Sequence, residues 1–240
     1  MDIHIGTSGW SYDHWIEKFY PASMKSSEWL SFYAEEFNSV EVNMSFYRWP
    51  TDELLEGWSA RTPSGFKFSM KAPRTITHYG RLEDAKIQVK DFYDVTSSLG
   101  RKTGCHLFQL PPSFDRTDEN IGSLRDFLEI LDARRDNTIE FRHKSWWSED
   151  IYELLEKNGI GFCTVSGLGM PKEIVCTSGI FYSRFHGDMY STEYPFDSLK
   201  KYAKAINGLG ADKVYIYFNN DTNAFAPKNA EMMKNILLEA

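Results

Sequence analysis

Short runs of alternating apolar and polar residues recur along the chain: Ile3–Thr7, Ser39–Asn43, Phe66–Met70, Gly104–Leu110, Thr138–Arg142, Gly161–Val165, Ile180–Phe185 and Lys213–Phe218. A period of two marks a strand, because successive side chains point to opposite faces. Thr138-Ile139-Glu140-Phe141-Arg142 shows it best, with Ile139 and Phe141 on one face and Glu140 and Arg142 on the other. Between most of these runs the period lengthens to three and four. Ser27 to Glu36 carries Trp29, Leu30, Tyr33 and Ala34, followed by Phe37, and Asp84 to Leu99 carries Ile87, Phe92, Val95 and Leu99. Such spacing gives a helix one buried face. Shorter helices are predicted over Ile121–Leu131 and Ile151–Leu155, the second ended by Asn158-Gly159, a common C-terminal stop. Ser198–Leu209 and Ala226–Leu238 complete the set, and Ser166 to Ser178 carries no helical pattern.

Strands alternating with helices imply parallel pairing through right-handed crossovers. Eight such units close into a (β/α)8 barrel, typically about 250 residues long. The chain has 240 residues, and no Pro/Gly-rich linker, repeat or low-complexity segment divides it. A single TIM-barrel-like α/β domain over 1–240 is the expectation.

Composition narrows the function classes. The hydrophobic share of 42% suits a sizeable core and excludes general disorder. A formal net charge of −7 disfavours nucleic acid as a partner, because it argues against a broadly basic surface. Cys105, Cys163 and Cys176 form no C-x-x-C pair, so zinc-knuckle and thioredoxin-like motifs are absent. No basic segment followed by an apolar stretch opens the chain, and no apolar run approaches the roughly 20 residues of a membrane span. A cytoplasmic protein without a membrane partner is expected; the sequence sets no oligomeric state.

The chemistry follows from strand parity, since barrel active sites collect at the C-terminal strand ends. Val40 and Val42 face the helices, placing Glu41 and Asn43 inside. Phe66, Phe68 and Met70 face out, placing Lys67, Ser69 and Lys71 inside. Gln109 comes from the fourth strand, Glu140 and Arg142 from the fifth, Tyr182, Arg184 and His186 from the seventh, and Tyr215, Tyr217 and Asn219 from the eighth, followed by Asn220. His78 follows the third strand. Any one charged pair reads equally well as a structural ion pair. Five or more charges at one mouth point instead to a ligand, because buried ions cost several kcal/mol each and apolar filling is often as stable.

Glu41, Glu140 and His186 are the candidate catalytic acid/base groups, one carboxyl held neutral by burial and the other ionised beside a cation. Asn43, Lys71, His78, Gln109, Arg142, Arg184, Asn219 and Asn220 are the candidate substrate-binding residues. Arg184, His186 and Asn219 fall where barrels often hold phosphate. The expected partner is a small anionic or sugar-like molecule. No cofactor is expected; a divalent metal on Glu41, Glu140 and His186 is a weaker alternative, since no H-E-x-x-H or D-x-D string is present. A non-catalytic ligand-binding barrel and metal-assisted phosphodiester processing remain as alternatives. His4, His106 and His143 read as structural. The aromatic groups Trp10 to Tyr20, Phe46 to Trp49 and Trp146-Trp147 read ring by ring as packing.

Ordered strings add a resemblance. Gly6-Thr7-Ser8-Gly9-Trp10-Ser11-Tyr12, Val40-Glu41-Val42-Asn43, Phe46-Tyr47-Arg48, Lys71-Ala72-Pro73-Arg74 and Phe108-Gln109-Leu110-Pro111-Pro112 run through the first half. Ile139-Glu140-Phe141-Arg142, Arg184-Phe185-His186-Gly187 and Tyr217-Phe218-Asn219-Asn220-Asp221 follow. Together they resemble the YecE-like family, known as domain of unknown function 72, over nearly the whole chain. The resemblance implies a TIM-barrel-like fold and an unassigned activity, and this chain is compact for the family around Gly167 to Cys176.

Overall fold

Strand parity becomes a barrel wall. The computed structural model describes residues 1–188 and 190–238. Its strands are β1 (Asp2–Thr7), β2 (Ser39–Val42), β3 (Lys67–Lys71), β4 (Thr103–Gln109), β5 (Asn137–Glu140), β6 (Gly161–Gly167), β7 (Ile180–Gly187) and β8 (Lys213–Phe218). They pair in the order β1-β8-β7-β6-β5-β4-β3-β2, every ladder parallel. The helices are α1 (Trp29–Glu36), α2 (Met44–Tyr47), α3 (Asp52–Ala60), α4 (Lys86–Thr96), α5 (Asp118–Ile130), α6 (Glu149–Lys157), α7 (Phe196–Asn207) and α8 (Phe225–Leu238). Two apolar cores result. One lies between strands and helices, and the other fills the barrel with Cys105, Leu107, Cys163, Val165, Ile180, Tyr182, Tyr215 and Tyr217. Burial pushes the Cys105 and Cys163 thiols up, so both behave as small hydrophobes.

The barrel closes between β1 and β2 by side chains. The Asn38 amide donates to Ile3 O at 2.7 Å and accepts from Ile5 N at 2.9 Å, imitating a neighbouring strand. Higher up, the Tyr33 hydroxyl accepts from Thr7 N at 2.8 Å and donates to Ser39 O at 3.0 Å. A Ser8–Glu41 bridge completes the seam. Gly6 permits it, because a Cβ there would collide with the Ser39 carbonyl.

Several expectations are corrected. The helix α3 had no counterpart in the sequence reading; its buried side is only Leu55 and Trp58, too sparse for a periodic stripe. Thr51 starts it by accepting from Leu54 N, the usual N-cap contact. Ile87 is 73% exposed, because α4 buries Val89, Phe92, Tyr93 and Thr96 instead. Strand β5 stops at Glu140, leaving Phe141 and Arg142 in the loop, and Asn43 leaves the β2 direction just before α2 without a side-chain capping bond. The segment between β6 and β7 has no helix, as the pattern indicated. Thr177 there accepts from Phe162 N and donates to Ile160 O, covering β6. Among the described residues, no helix is long and apolar enough to cross a membrane.

Candidate functional site

Arg184 lies fully buried at the centre of the C-terminal mouth and joins three strands. Its Nε and Nη2 donate to Glu41 Oε1 at 3.1 and 2.8 Å, and its Nη1 donates to Glu140 Oε2 at 2.6 Å and to Gln109 Oε1 at 3.3 Å. Glu41 also accepts from Ser8 Oγ at 2.7 Å and from the Tyr182 hydroxyl at 2.6 Å. The other oxygen of Glu140 meets Arg142 Nε. Buried charges persist only when paired and hydrogen-bonded, and this network meets that condition. Each guanidinium nitrogen of Arg184 donates to Glu41, Glu140 or Gln109, so Arg184 orders the mouth from within. Ser8 and Tyr182 support Glu41 and were missed as site residues. The polar Thr7-Ser8-Gly9 turn and the inward parity of Tyr182 were the available signals.

Burial raises the Glu140 pKa, but Arg142 and Arg184 outweigh it and hold the group well below the usual carboxylate range. The cations pair unequally. Arg142, with 13% of its side chain exposed, faces the opening while touching Glu140. Lys71 has neither hydrogen-bond nor ion-pair partner for its amine among the described residues; Nζ sits 4.0 Å above the Phe46 ring. Burial, followed by Arg184, lowers its pKa to about 7 against the pull of Glu140 and Glu41.

The backbone holds Lys71 firmly. A bulge between β3 and β4 shifts the register from Phe68↔Thr103 to Met70↔His106. Ser69 Oγ accepts from Cys105 N at 3.1 Å in that gap, and Ser45 Oγ donates to Lys71 O at 2.6 Å. Bulges re-aim side chains beside sites.

His186 is buried, with Nδ1 3.0 Å from the Asn219 amide nitrogen and no partner for Nε2. Burial and then Arg184 push its pKa well down, so the ring is neutral near pH 7. An amide donor on Nδ1 assigns the proton to Nε2, an unused buried donor. His78 is half-buried, edge-on to Phe46 at 4.8 Å, and burial lowers it to about 4. Asn43 Oδ1 is also unpartnered, and Asn43 lines a cavity of about 390 Å³ with Gly9, Trp10, Ser11, Tyr12 and Arg61. The roomier cavities lie away from the ion network, including one of about 700 Å³ along α7. The converging charges lie at the mouth.

Asn220 does not join the mouth: its amide donates to Thr192 O and Asn229 Oδ1, tying the loop after β8 to α8. Nor do Glu41, Glu140 and His186 gather as a metal set, since Arg184 stands between the carboxylates. Among the described residues no three His, Cys, Asp or Glu side chains group in that way. His4 stacks on Tyr215, His106 meets Thr96 Oγ1 at 2.9 Å, and His143 caps the turn at Ser145. Trp15, Tyr20 and Trp146 are core, whereas Tyr47 is 70% exposed.

A nearly closed parallel α/β barrel with a buried ion network at its C-terminal mouth is the class these features define. The chain belongs to the DUF72 family, a protein of unknown function by its description, whose family model matches residues 4–240. It is 28% identical over 270 residues to the UPF0759 protein YunF of Bacillus subtilis (strain 168), covering 98% of this chain and 94% of that protein. The UPF0759 protein YecE of Escherichia coli (strain K12) is 28% identical over 158 residues, 66% of this chain and 55% of its own length. The crystal structure of the DUF72 family protein TM1631 from Thermotoga maritima MSB8 superposes with a TM-score of 0.91 at 28% identity, covering 100% of both chains. A DUF72 family protein from Enterococcus faecalis V583, EF0366, superposes with a TM-score of 0.85 at 20% identity over 98% of this chain and 95% of its own, a likeness of fold.

Proposed function

We propose that this barrel is an enzyme performing acid–base chemistry on a small anionic substrate, bearing a carboxylate or a phosphate, at its C-terminal mouth. The observation that carries the reading is the unequal pairing of charge. Three cationic side chains, Lys71, Arg142 and Arg184, surround two carboxyl groups, and among the described residues the Lys71 amine has no acceptor of its own. An anion entering past Arg142 and Lys71 supplies the missing countercharge. The guanidinium offers two parallel N–H groups to such an oxyanion.

The roles divide by environment. Arg142 orients the anion, and Arg184 holds Glu41 and Glu140 in place. Lys71, whose pKa is about 7, exchanges a proton at working pH, where general acid–base catalysis is most effective. Neutral His186 offers its Nε2 proton to a substrate oxygen. The chemistry in this reading is carried by the chain's own side chains.

Thermal and urea stability in a panel of phosphate, sugar phosphates and small carboxylates tests it, comparing the native chain with Arg142→Ala. A ligand present at 100 times its dissociation constant adds about 2.7 kcal/mol, and the variant loses that gain. Failure of every anion to stabilise the native chain overturns the reading.

A further inference from the structure

We propose that Lys71 is a nucleophile that forms an imine with the carbonyl carbon of a small aldehyde or ketone whose carboxylate or phosphate is held by Arg142. The inference rests on the anionic-substrate reading above and narrows its substrate class to anionic carbonyl compounds.

The geometry separates Lys71 from every other charged group at the mouth. Arg142 and Arg184 each touch a carboxylate, and Glu41 and Glu140 are each bound to at least one of those arginines. Among the described residues the amine of Lys71 alone is left over, against the face of Phe46. Its residue is 8% exposed, so the amine is mostly shielded from water. Its backbone is fixed by the β3 ladder and by the Ser45 hydroxyl, so the amine is presented from a rigid strand end. A lysine serving only as a countercharge would sit on a carboxylate, and two carboxylates are present in the same mouth.

Nucleophilic lysines are activated by desolvation and by neighbouring cations, and both act here. Burial comes first and Arg184 second in depressing the Lys71 pKa to about 7. The groups facing Lys71 are Glu41 from β2, Glu140 and Arg142 from the end of β5, Arg184 and His186 from β7, and His78 after β3.

In the step itself, the neutral amine attacks the carbonyl carbon. A C–N bond forms, the C=O π pair moves to oxygen, and one proton passes from nitrogen to oxygen to give a carbinolamine. Protonation of that hydroxyl lets the C–O bond break with loss of water, while the nitrogen lone pair forms C=N. The sum is amine plus carbonyl plus one proton giving an iminium ion and water, with no change in oxidation state. The His186 Nε2–H hydrogen-bonds the departing oxygen, and the proton that leaves with it as water comes from solvent.

Borohydride trapping tests the step, because hydride delivered to the iminium carbon leaves a stable secondary amine. The native chain is incubated with glyoxylate, pyruvate, glycolaldehyde phosphate or uncharged glycolaldehyde, reduced, and mapped by peptide mass spectrometry. Lys71→Arg, which keeps the charge, and Lys71→Met serve as variants, and stability in inorganic phosphate is measured alongside. The expected result is one adduct per chain on Lys71, at least tenfold more with the anionic carbonyls than with glycolaldehyde, and none at that peptide in either variant. Adducts scattered over surface lysines without preference for Lys71 overturn the proposal. Stabilisation by phosphate with Lys71 unlabelled overturns the imine while leaving the anion reading intact. Lys71 labelling that is equal for charged and uncharged carbonyls, without stabilisation by phosphate, supports the nucleophile and overturns the anion reading.

Discussion

The two ends of the barrel both carry charge, and they handle it differently. At the N-terminal floor, Lys213 Nζ meets both oxygens of Asp136 at 2.8 Å, and the Tyr215 hydroxyl donates to the same carboxylate at 2.8 Å. Lys213 is 44% exposed there and water shares the load. At the mouth, Arg184, Glu41 and Glu140 are sealed from solvent, and the cations outnumber the carboxyl groups. Exposed pairs contribute little and are cheap to keep. A sealed cluster costs several kcal/mol per ion before its attractions offset it. The floor therefore reads as ordinary surface pairing, and the sealed mouth supports the proposal of a ligand site there.

The sharpest way to break this contrast is to remove Arg184. Arg184→Ala leaves two buried carboxyl groups without their shared cation, and a loss of about 3–5 kcal/mol is expected, measured by urea denaturation. Retention of native stability would show that the mouth tolerates unpaired charge as the floor does.

Next comes the seam that joins the two ends. Asn38→Ala removes the bonds to Ile3 O and Ile5 N, each worth about 0.5–1.5 kcal/mol. Amide exchange at Ile5 should accelerate while exchange on the β7–β8 ladder is unchanged.

Lys71 gives the mouth a pH signature. Its folded pKa, about 7, lies below the unfolded value of about 10.4, so between them the unfolded chain binds more protons. Stability supplied by this group therefore rises with pH across that window, by at most about 1.4 kcal/mol per pH unit. The difference in stability between the native chain and Lys71→Met should change with that sign from pH 7 to 10; a flat difference would place Lys71 in an ordinary solvated environment.

The smallest effect belongs to the floor. Lys213→Ala should cost about 0–1 kcal/mol and leave anion-induced stabilisation intact. A larger loss would make the floor an equal partner in holding the barrel.

Period-two alternation is a local property, which is why all eight strands and the inward set Glu41, Lys71, Gln109, Glu140 and Arg184 were legible without coordinates. Helix α3 was not, because a helix pinned by Leu55 and Trp58 alone has too few apolar positions to show a period. Ile87 misled because one apolar residue on the edge of a stripe does not report the rotation of α4.

Sequence alone determined the eight strands, the barrel class and the inward parity of Glu41, Lys71, Gln109, Glu140 and Arg184, since each depends on neighbours only a few residues away. Only the tertiary structure decided the partners. Arg184 meets Glu41 across 143 positions and Glu140 across 44, and parity says nothing about which inward charges pair at such separations. That pairing assigns Arg184 to the glutamates, turns Asn220 to a structural tie and leaves the Lys71 amine alone. A charge in a low-dielectric mouth is defined by what remains unpaired, and that follows from three-dimensional distance.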